Sequence, residues 1–100
     1  METRVVNIRK EISDVYIGRA GRGAFHLYLK SKWANPFHIR RGCTRAQALA
    51  KYEAMVRNRP DLMAALPELE GKRLGCWCKP KPCHGDVLVK LLEERKRGAK

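Results

Sequence analysis

The chain has 100 residues, a length that accommodates one domain with a modest core and excludes two independently folding units. Lysine and arginine number 22 against 10 aspartate and glutamate residues, so the net charge is +12 at pH 7. This excess of positive charge predicts a partner that carries phosphate, either a nucleic acid or a nucleotide, and the alternative is a well-solvated surface that only keeps the protein soluble. Neither the N-terminus nor any later segment has the apolar length of a signal peptide or a membrane span, so we expect a cytoplasmic protein with no membrane partner.

Two short β-branched segments near the N-terminus, residues 4–8 and 14–18, predict strands. No hydrophobic period persists from residue 19 to residue 41, where glycine, aromatic and basic residues are mixed. This segment is predicted to be a long structured loop. A loop of that length in so small a domain is usually functional.

Two helices are predicted in the middle of the chain. Thr44 follows a turn and has the side chain of an N-cap, so we expect a helix that begins after it and ends before Pro60. We expect Asp61 to cap a second, short helix through Leu66. Residues 67–71 then return the chain to the surface.

The last third of the chain predicts a strand followed by a helix. Residues 73–78 are apolar and compact enough for a strand buried on both faces, and prolines 80 and 82 then enforce a turn. The last helix is expected to open at residues 84–86, and its inner face comprises Val87, Leu88, Leu91 and Leu92. The order β-β-α-α-β-α predicts a small α/β fold, a two-layer or three-layer sheet with helices packed on it, in a single domain of residues 1–100.

The densest chemistry lies between Cys76 and Asp86, beyond the last predicted strand, where open α/β sheets bind ligands. In a cytosolic chain, the crowding of three cysteines here favours a thiol or metal role over a disulfide scaffold. Three sulfurs and one imidazole are the ligand set of a closed zinc site, although all four lie within nine residues, closer together than in familiar zinc knuckles. The candidate metal ligands are Cys76, Cys78, Cys83 and His84.

Two other interpretations of this segment stay open beside zinc. In one, the N-terminal end of the last helix stabilises an anion, either a Cys83 thiolate or a substrate phosphate, and Asp86 orients His84 for nucleophilic or acid–base catalysis. The candidate catalytic residues are then Cys83, His84 and Asp86. In the other, the cysteines are small buried hydrophobes, Asp86 favours the helix start and His84 bonds a backbone carbonyl.

Polar and aromatic residues before the first helix are candidates for ligand binding. Tyr16 and Arg19 lie on either side of Gly18, which lets the backbone approach a ligand while the guanidinium of Arg19 holds a phosphate. A turn glycine beside a solvated arginine explains the pattern equally well. Lys32, Trp33 and Asn35 offer a cation, a stacking ring and an amide able to read a base edge. The alternative is a loop that Trp33 anchors in the core.

Four blocks of residues occur in an order that resembles the domain of unknown function 4326 family of bacteria and phages. They are VNIR at 6–9, DVYIGR at 14–19, KWANPF at 32–37 and LGCWCKPKPCHGDVL at 74–88. The family usually has glycine where this chain has Ala34. The resemblance implies a compact α/β domain and no particular reaction. The polar positions it implies as shared are Arg19, Asn35, Arg45, Cys76, Cys78, Cys83, His84 and Asp86.

Three functional hypotheses follow from these observations. The leading one is a small protein that binds a nucleic acid or a nucleotide between residues 19–37 and the helix beginning near His84, and that acts on this ligand if the cysteine–histidine site is catalytic. The second is a noncatalytic nucleic-acid-binding module stabilised by zinc. The third is a phage-type accessory protein that binds a host protein through its basic face. Whether the protein is an enzyme stays open.

Overall fold

A parallel sheet of three strands lies at the centre of the computed structural model, which describes residues 3–18, 21–22, 27–28, 31–37, 41–77 and 81–98. The strands are β1 (Arg4–Asn7), β2 (Val15–Tyr16) and β5 (Arg73–Cys76), with β5 in the middle. Val6 of β1 and Tyr16 of β2 both lie opposite Gly75 of β5. The three strands therefore end at one edge, the carboxyl edge of the sheet.

A second, antiparallel pair of strands, β3 (Gly21–Arg22) and β4 (Leu27–Tyr28), lies inside the segment that was predicted to be a loop. The helices are α1 (Arg45–Arg57), α2 (Pro60–Ala65) and α3 (His84–Gly98), and a short 3₁₀ helix spans Leu66–Leu69. The predicted α/β class and its order of principal elements are thus confirmed, with the β3–β4 pair as an addition. Within the described residues, no helix combines the length and the apolar character needed to cross a membrane.

Gly75 lets the connection between β1 and β2 cross one face of the sheet. Since β1 and β2 run in the same direction on opposite sides of β5, the chain between them has to pass over that strand. A Cβ atom on Gly75 would lie 2.4 Å from Ser13 Oγ and 2.6 Å from Ile8 Cγ2. The crossing chain therefore occupies the space that a side chain at Gly75 would need.

Helix α3 covers the opposite face of the sheet. Its first turn approaches so closely that a Cβ atom on Gly85 would lie 2.8 Å from Val5 Cγ2 and 2.9 Å from Ile17 Cδ1. The predicted inner face of this helix is confirmed, because its four residues are all buried, namely Val87, Leu88, Leu91 and Leu92. Helix α1 packs against α3 and adds the buried residues Ala48, Tyr52 and Val56 to the same core.

The predicted start of α1 is confirmed as a capping box. The amide of Gln47 donates to Thr44 Oγ1 at 3.1 Å, and the amide of Thr44 donates to Gln47 Oε1 at 2.9 Å. The helix ends at Arg57, before Pro60 as expected.

The expected cap of α2 is wrong. Arg59 occupies the N-cap position without a side-chain hydrogen bond, and Asp61 lies in the first turn. Proline at the first helical position provides the start instead, because its fixed φ suits a helix and its missing N–H is not needed there. Pro67 then lacks the N–H that would continue the α-helical pattern, so α2 gives way to the 3₁₀ helix after Ala65.

Candidate functional site

The carboxyl edge of the sheet is also where α3 begins. Strand β5 ends at Cys76, and the connection from Trp77 leads to Cys83, the residue before α3. Two contacts hold this helix start against the edge, one between the sulfurs of Cys76 and Cys83 and one between His84 and Ile17. Of the segment expected to carry the chemistry, the described residues Cys76, Cys83 and His84 therefore lie together at a junction between strand and helix.

Cys76 and Cys83 are in direct contact. Their Sγ atoms lie 3.3 Å apart, and the two residues are 1% and 2% exposed. The backbone of Cys83 is held by Asp86, whose Oδ2 accepts a hydrogen bond from the Cys83 amide at 3.0 Å. An acid that accepts the N-cap amide from the third helical position forms half of a capping box, and its charge also suits the helix dipole.

His84 connects the start of α3 to the end of β2. Its Nε2 lies 2.6 Å from the carbonyl oxygen of Ile17, and since a carbonyl only accepts, this nitrogen carries the hydrogen and donates it. The ring is buried and meets Tyr52 edge to face, with 5.1 Å between centroids. The Tyr52 hydroxyl donates to the Trp33 carbonyl at 2.7 Å. Burial, with a smaller electrostatic contribution from Cys83, raises the pKa of Tyr52, so this phenol remains a donor.

Beyond the carboxyl edge, Arg9, Tyr16 and Trp77 form a group that we call the Trp77 cluster. The indole Nε1 of Trp77 donates to the Tyr16 hydroxyl at 2.9 Å, and the guanidinium carbon of Arg9 lies 5.1 Å from the centre of the indole ring. Trp77 and Tyr16 are half-buried, and Arg9 is exposed. A Cβ atom on Gly18 would lie 2.4 Å from the Tyr16 hydroxyl oxygen, so the phenol ring lies directly over that glycine.

The three candidate catalytic residues come together at the start of α3, where their described contacts are those of a helix start. Asp86 accepts from the Cys83 amide, and His84 donates to the Ile17 carbonyl. These contacts agree with the interpretation in which Asp86 favours the helix start and His84 bonds a backbone carbonyl. Of the four candidate metal ligands, Cys76 and Cys83 meet, and Cys78 lies outside the described residues. Among those described, no group of three histidine, cysteine, aspartate or glutamate residues is arranged to hold a metal ion.

Two of the six candidate ligand-binding residues have a defined place near the carboxyl edge. Tyr16 belongs to the Trp77 cluster. Arg45 donates from Nη1 to the Pro82 carbonyl at 2.8 Å, which joins the start of α1 to the connection before α3. Arg19 lies outside the described residues.

The other three candidate ligand-binding residues lie in the segment 31–37. Lys32 forms an ion pair with Glu68 at 2.8 Å. Trp33 is 2% exposed and belongs to the core, a position that favours its interpretation as an anchor of the loop. Asn35 Oδ1 accepts from the Phe37 amide at 2.8 Å, which is the hydrogen bond of an Asx turn.

Two residues of the Trp77 cluster were missed as binding candidates. The sequence predicted that Trp77 lies inside a buried strand. Strand β5 instead ends at Cys76, one residue before Trp77, and the indole is partly exposed. Arg9 follows the end of β1, so its position after a short β-branched segment was the available signal.

Three cations at this edge have no described carboxylate partner, and the carboxylate of Asp86 there accepts the Cys83 amide. In the part of the chain that the structure describes, no acidic side chain forms an ion pair with Arg9, Arg45 or Lys81. Arg9 and Lys81 are exposed. An anionic ligand approaching the start of α3 therefore meets cations that have no described carboxylate partner.

Comparison with known protein families agrees with the family resemblance noted in the sequence. A family described as "Domain of unknown function (DUF4326)" matches residues 3–94. The chain belongs to this family. The earlier resemblance is therefore confirmed over the whole sheet and most of α3.

Two viral relatives are similar to this member of the family. An uncharacterized protein, R718, of Acanthamoeba polyphaga mimivirus is 38% identical over 89 residues, a match that covers 80% of this chain and 67% of the relative. An uncharacterized 12.4 kDa protein in the nrdA-td intergenic region of Enterobacteria phage T4 is 59% identical over 29 residues, which are 29% of this chain and 27% of that protein. No solved structure matches the chain.

Proposed function

We propose that the protein binds a nucleotide, free or within a single-stranded nucleic acid, at the carboxyl edge of its parallel sheet. The observation that carries this proposal is the Trp77 cluster, which combines a partly exposed indole with a guanidinium 5.1 Å from its centre. A nucleotide has an aromatic base and an anionic phosphate, and the cluster provides a complementary group for each of them.

The base is expected to stack on the indole of Trp77. Aromatic side chains accept any base because each base has a π-face, and arginine adds a favourable contact with the ring system. The hydrogen bond from the indole to Tyr16, together with the packing of that phenol over Gly18, holds the ring in one orientation before a ligand arrives. Such preorganisation reduces the entropy lost on binding.

The phosphate is expected to lie between Arg9 and the start of α3. The dipole of the 15-residue helix α3 favours an anion near its start, where the Asp86 carboxylate accepts the Cys83 amide, and the exposed Lys81 lies two residues before Cys83. The excess of 12 positive charges over the whole chain attracts the ligand from a distance. Both the ligand class and the position within the fold agree with binding beyond the carboxyl ends of parallel strands.

The proposal is limited to binding. Cys83, His84 and Asp86 lie at the same edge, but their described hydrogen bonds fix the start of α3. In the proposed complex these residues hold the start of α3 in place beside the phosphate.

Binding can be measured by fluorescence anisotropy with a labelled single-stranded oligonucleotide of mixed sequence at low salt. Trp77→Ala is expected to weaken binding by about tenfold, the lower end of what one stacked base contributes. Trp77→Phe retains a ring and is expected to lose less. Affinity is also expected to fall steeply as salt is raised.

Arg9→Ala and Arg95→Ala form a matched pair that separates a local site from general charge attraction. Each removes one exposed arginine, but Arg95 lies roughly 16 Å along α3 from His84. We expect Arg9→Ala to weaken binding clearly more than Arg95→Ala. Equal losses from the two variants, or no detectable binding at low salt, would remove the proposed site.

Competition distinguishes the two sources of the ligand. If an adenine mononucleotide displaces the labelled oligonucleotide at concentrations near its own affinity, the site takes free nucleotides. If only single-stranded oligonucleotides compete, the site requires the polymer. Preferential binding of duplex DNA would contradict the stacking of an unpaired base on Trp77.

A further inference from the structure

We propose that Cys76 and Cys83 are a redox pair whose thiols close reversibly to a disulfide. The two sulfurs lie 3.3 Å apart, one at the end of the central strand and the other at the residue before α3. This inference does not depend on the nucleotide proposal, because the pairing can be measured in the protein alone.

The surrounding contacts keep the two sulfurs together. Cys76 is held within β5, which is hydrogen-bonded to strands on both sides. The backbone of Cys83 is held by Asp86, and the next residue, His84, is bonded to Ile17. A disulfide needs a sulfur separation of about 2.05 Å, so the two atoms have to approach by little more than an ångström.

The reaction requires an oxidant, for which we name a low-molecular-weight disulfide such as oxidised glutathione. One cysteine, as its thiolate, attacks a sulfur of the reagent, and the S–S bond of the reagent breaks to release one glutathione thiolate. The second cysteine then attacks the mixed disulfide and releases the second glutathione. The protein loses two electrons and two protons, and the reagent becomes two reduced thiols.

Burial sets the expected rate of this exchange. The two cysteines are 1% and 2% exposed, so the reagent reaches them only after a local opening of the structure around them. The exposed residues Lys81 and Pro82 immediately precede Cys83 in the chain. We expect oxidation to be slow compared with that of a solvent-exposed thiol and to accelerate in mild denaturant.

The test is equilibration of the full chain with oxidised and reduced glutathione in different ratios, followed by acid quenching and mass measurement. We expect an intramolecular species that has lost the mass of two hydrogen atoms and that reverts on reduction. Chymotrypsin cleaves after Trp77 and so separates Cys76 from the two later cysteines, which identifies a disulfide linking the two peptides.

Serine variants assign the pairing. The single changes Cys43→Ser and Cys78→Ser are expected to leave disulfide formation intact, and Cys43 is the matched control because it is also buried. Cys83→Ser is expected to abolish it. Because Cys78 and Cys83 stay on one chymotryptic peptide, fragmentation of the linked peptides between these two residues in the mass spectrometer gives the pairing in the oxidised wild type, even if a variant fails to fold. A disulfide that includes Cys78, or only mixed disulfides with glutathione at every ratio, would overturn the proposal.

Discussion

The two edges of the parallel sheet differ in how their charges are arranged. At the amino edge, Arg73 pairs with Asp14 at 3.1 Å, and nearby Arg4 pairs with Glu11 at 3.0 Å. At the carboxyl edge, Arg9 lies over the indole of Trp77 instead of beside a carboxylate. Arg4 and Arg73 are the first residues of β1 and β5, whereas Arg9 and Trp77 lie beyond the ends of these strands. The difference therefore depends on which residues begin each strand and which follow it.

This difference indicates which edge is available to an anion. A cation already paired with a carboxylate has to exchange that partner for a ligand, whereas a cation over a ring or in solvent does not. Elsewhere in the described chain, Glu53 and Glu94 pair with cations on the outer faces of α1 and α3. Among the described ion pairs, these acidic residues neutralise cations away from the carboxyl edge, where Asp86 is bonded at the start of α3 and Arg9 has no described carboxylate partner.

The largest expected effect concerns the crossing chain between β1 and β2, which spans both edges. Gly75→Ala would place a methyl group against Ser13 and Ile8, at distances of 2.4 and 2.6 Å. We expect the free energy of unfolding to fall by about 1–3 kcal/mol, the usual cost of overpacking a filled site. Urea unfolding measures this change.

Gly98→Ala is the matched control, because a Cβ atom there has nothing within 4 Å. It is expected to leave stability unchanged or slightly increased. If Gly75→Ala unfolds at the same urea concentration as the wild type, the crossing chain does not press on β5 as described.

A smaller effect is expected from Asp86 at the carboxyl edge. Asp86→Ala removes the acceptor for the Cys83 amide and a negative charge from the first turn of α3. We expect the free energy of unfolding to fall by about 1 kcal/mol. Asp86→Asn keeps an acceptor and is expected to lose less in the same urea assay. A loss several times larger than this would indicate that Asp86 does more than start the helix.

The charge comparison between the edges is tested by Lys81→Gln and Arg4→Gln. Each variant removes one positive charge, but Arg4 is paired with Glu11 and Lys81 has no described acidic partner. In the anisotropy assay we expect Lys81→Gln to weaken oligonucleotide binding by about fivefold at moderate salt, as expected for one lost phosphate contact, and to flatten the salt dependence. Arg4→Gln is expected to change affinity by less than about twofold. The reverse order would place the binding surface at the amino edge.

Local signals were sufficient to predict much of the fold. Thr44 indicated the start of α1 through its capping side chain, and the apolar spacing of Val87, Leu88, Leu91 and Leu92 indicated the inner face of α3. These signals act between neighbours in the chain, so one sequence is enough to interpret them. The paired strands β3 and β4 are only two residues long, which is too short to show any period.

The candidate site was predicted only in part, because its contacts join distant residues. The density of cysteines pointed to the junction of β5 and α3, but the contact between Cys76 and Cys83 depends on how the intervening connection folds. The exposure of Trp77 depends on where β5 ends, and its partner Tyr16 is 61 residues away along the chain. Periodicity and spacing carry no information on such pairs.

The smallest expected effect, at the amino edge, appears as a pH dependence of stability. Hydrogen bonds from the Arg73 side chain and amide lower the pKa of Asp14 from its ordinary 3.8 to about 2. The unfolded chain therefore binds more protons than the folded protein between these values, so stability rises with pH across that window. The contribution of Asp14 is fully present above about pH 5 and is lost as the pH falls towards 2. We expect Asp14→Asn to unfold at lower urea than the wild type at neutral pH, and this difference to shrink steadily on acidification. If the difference in unfolding between Asp14→Asn and the wild type stays constant down to pH 2, the Asp14 carboxylate is not held by Arg73. Arg73 would then not be a neutralised cation, and the two edges would no longer differ as described.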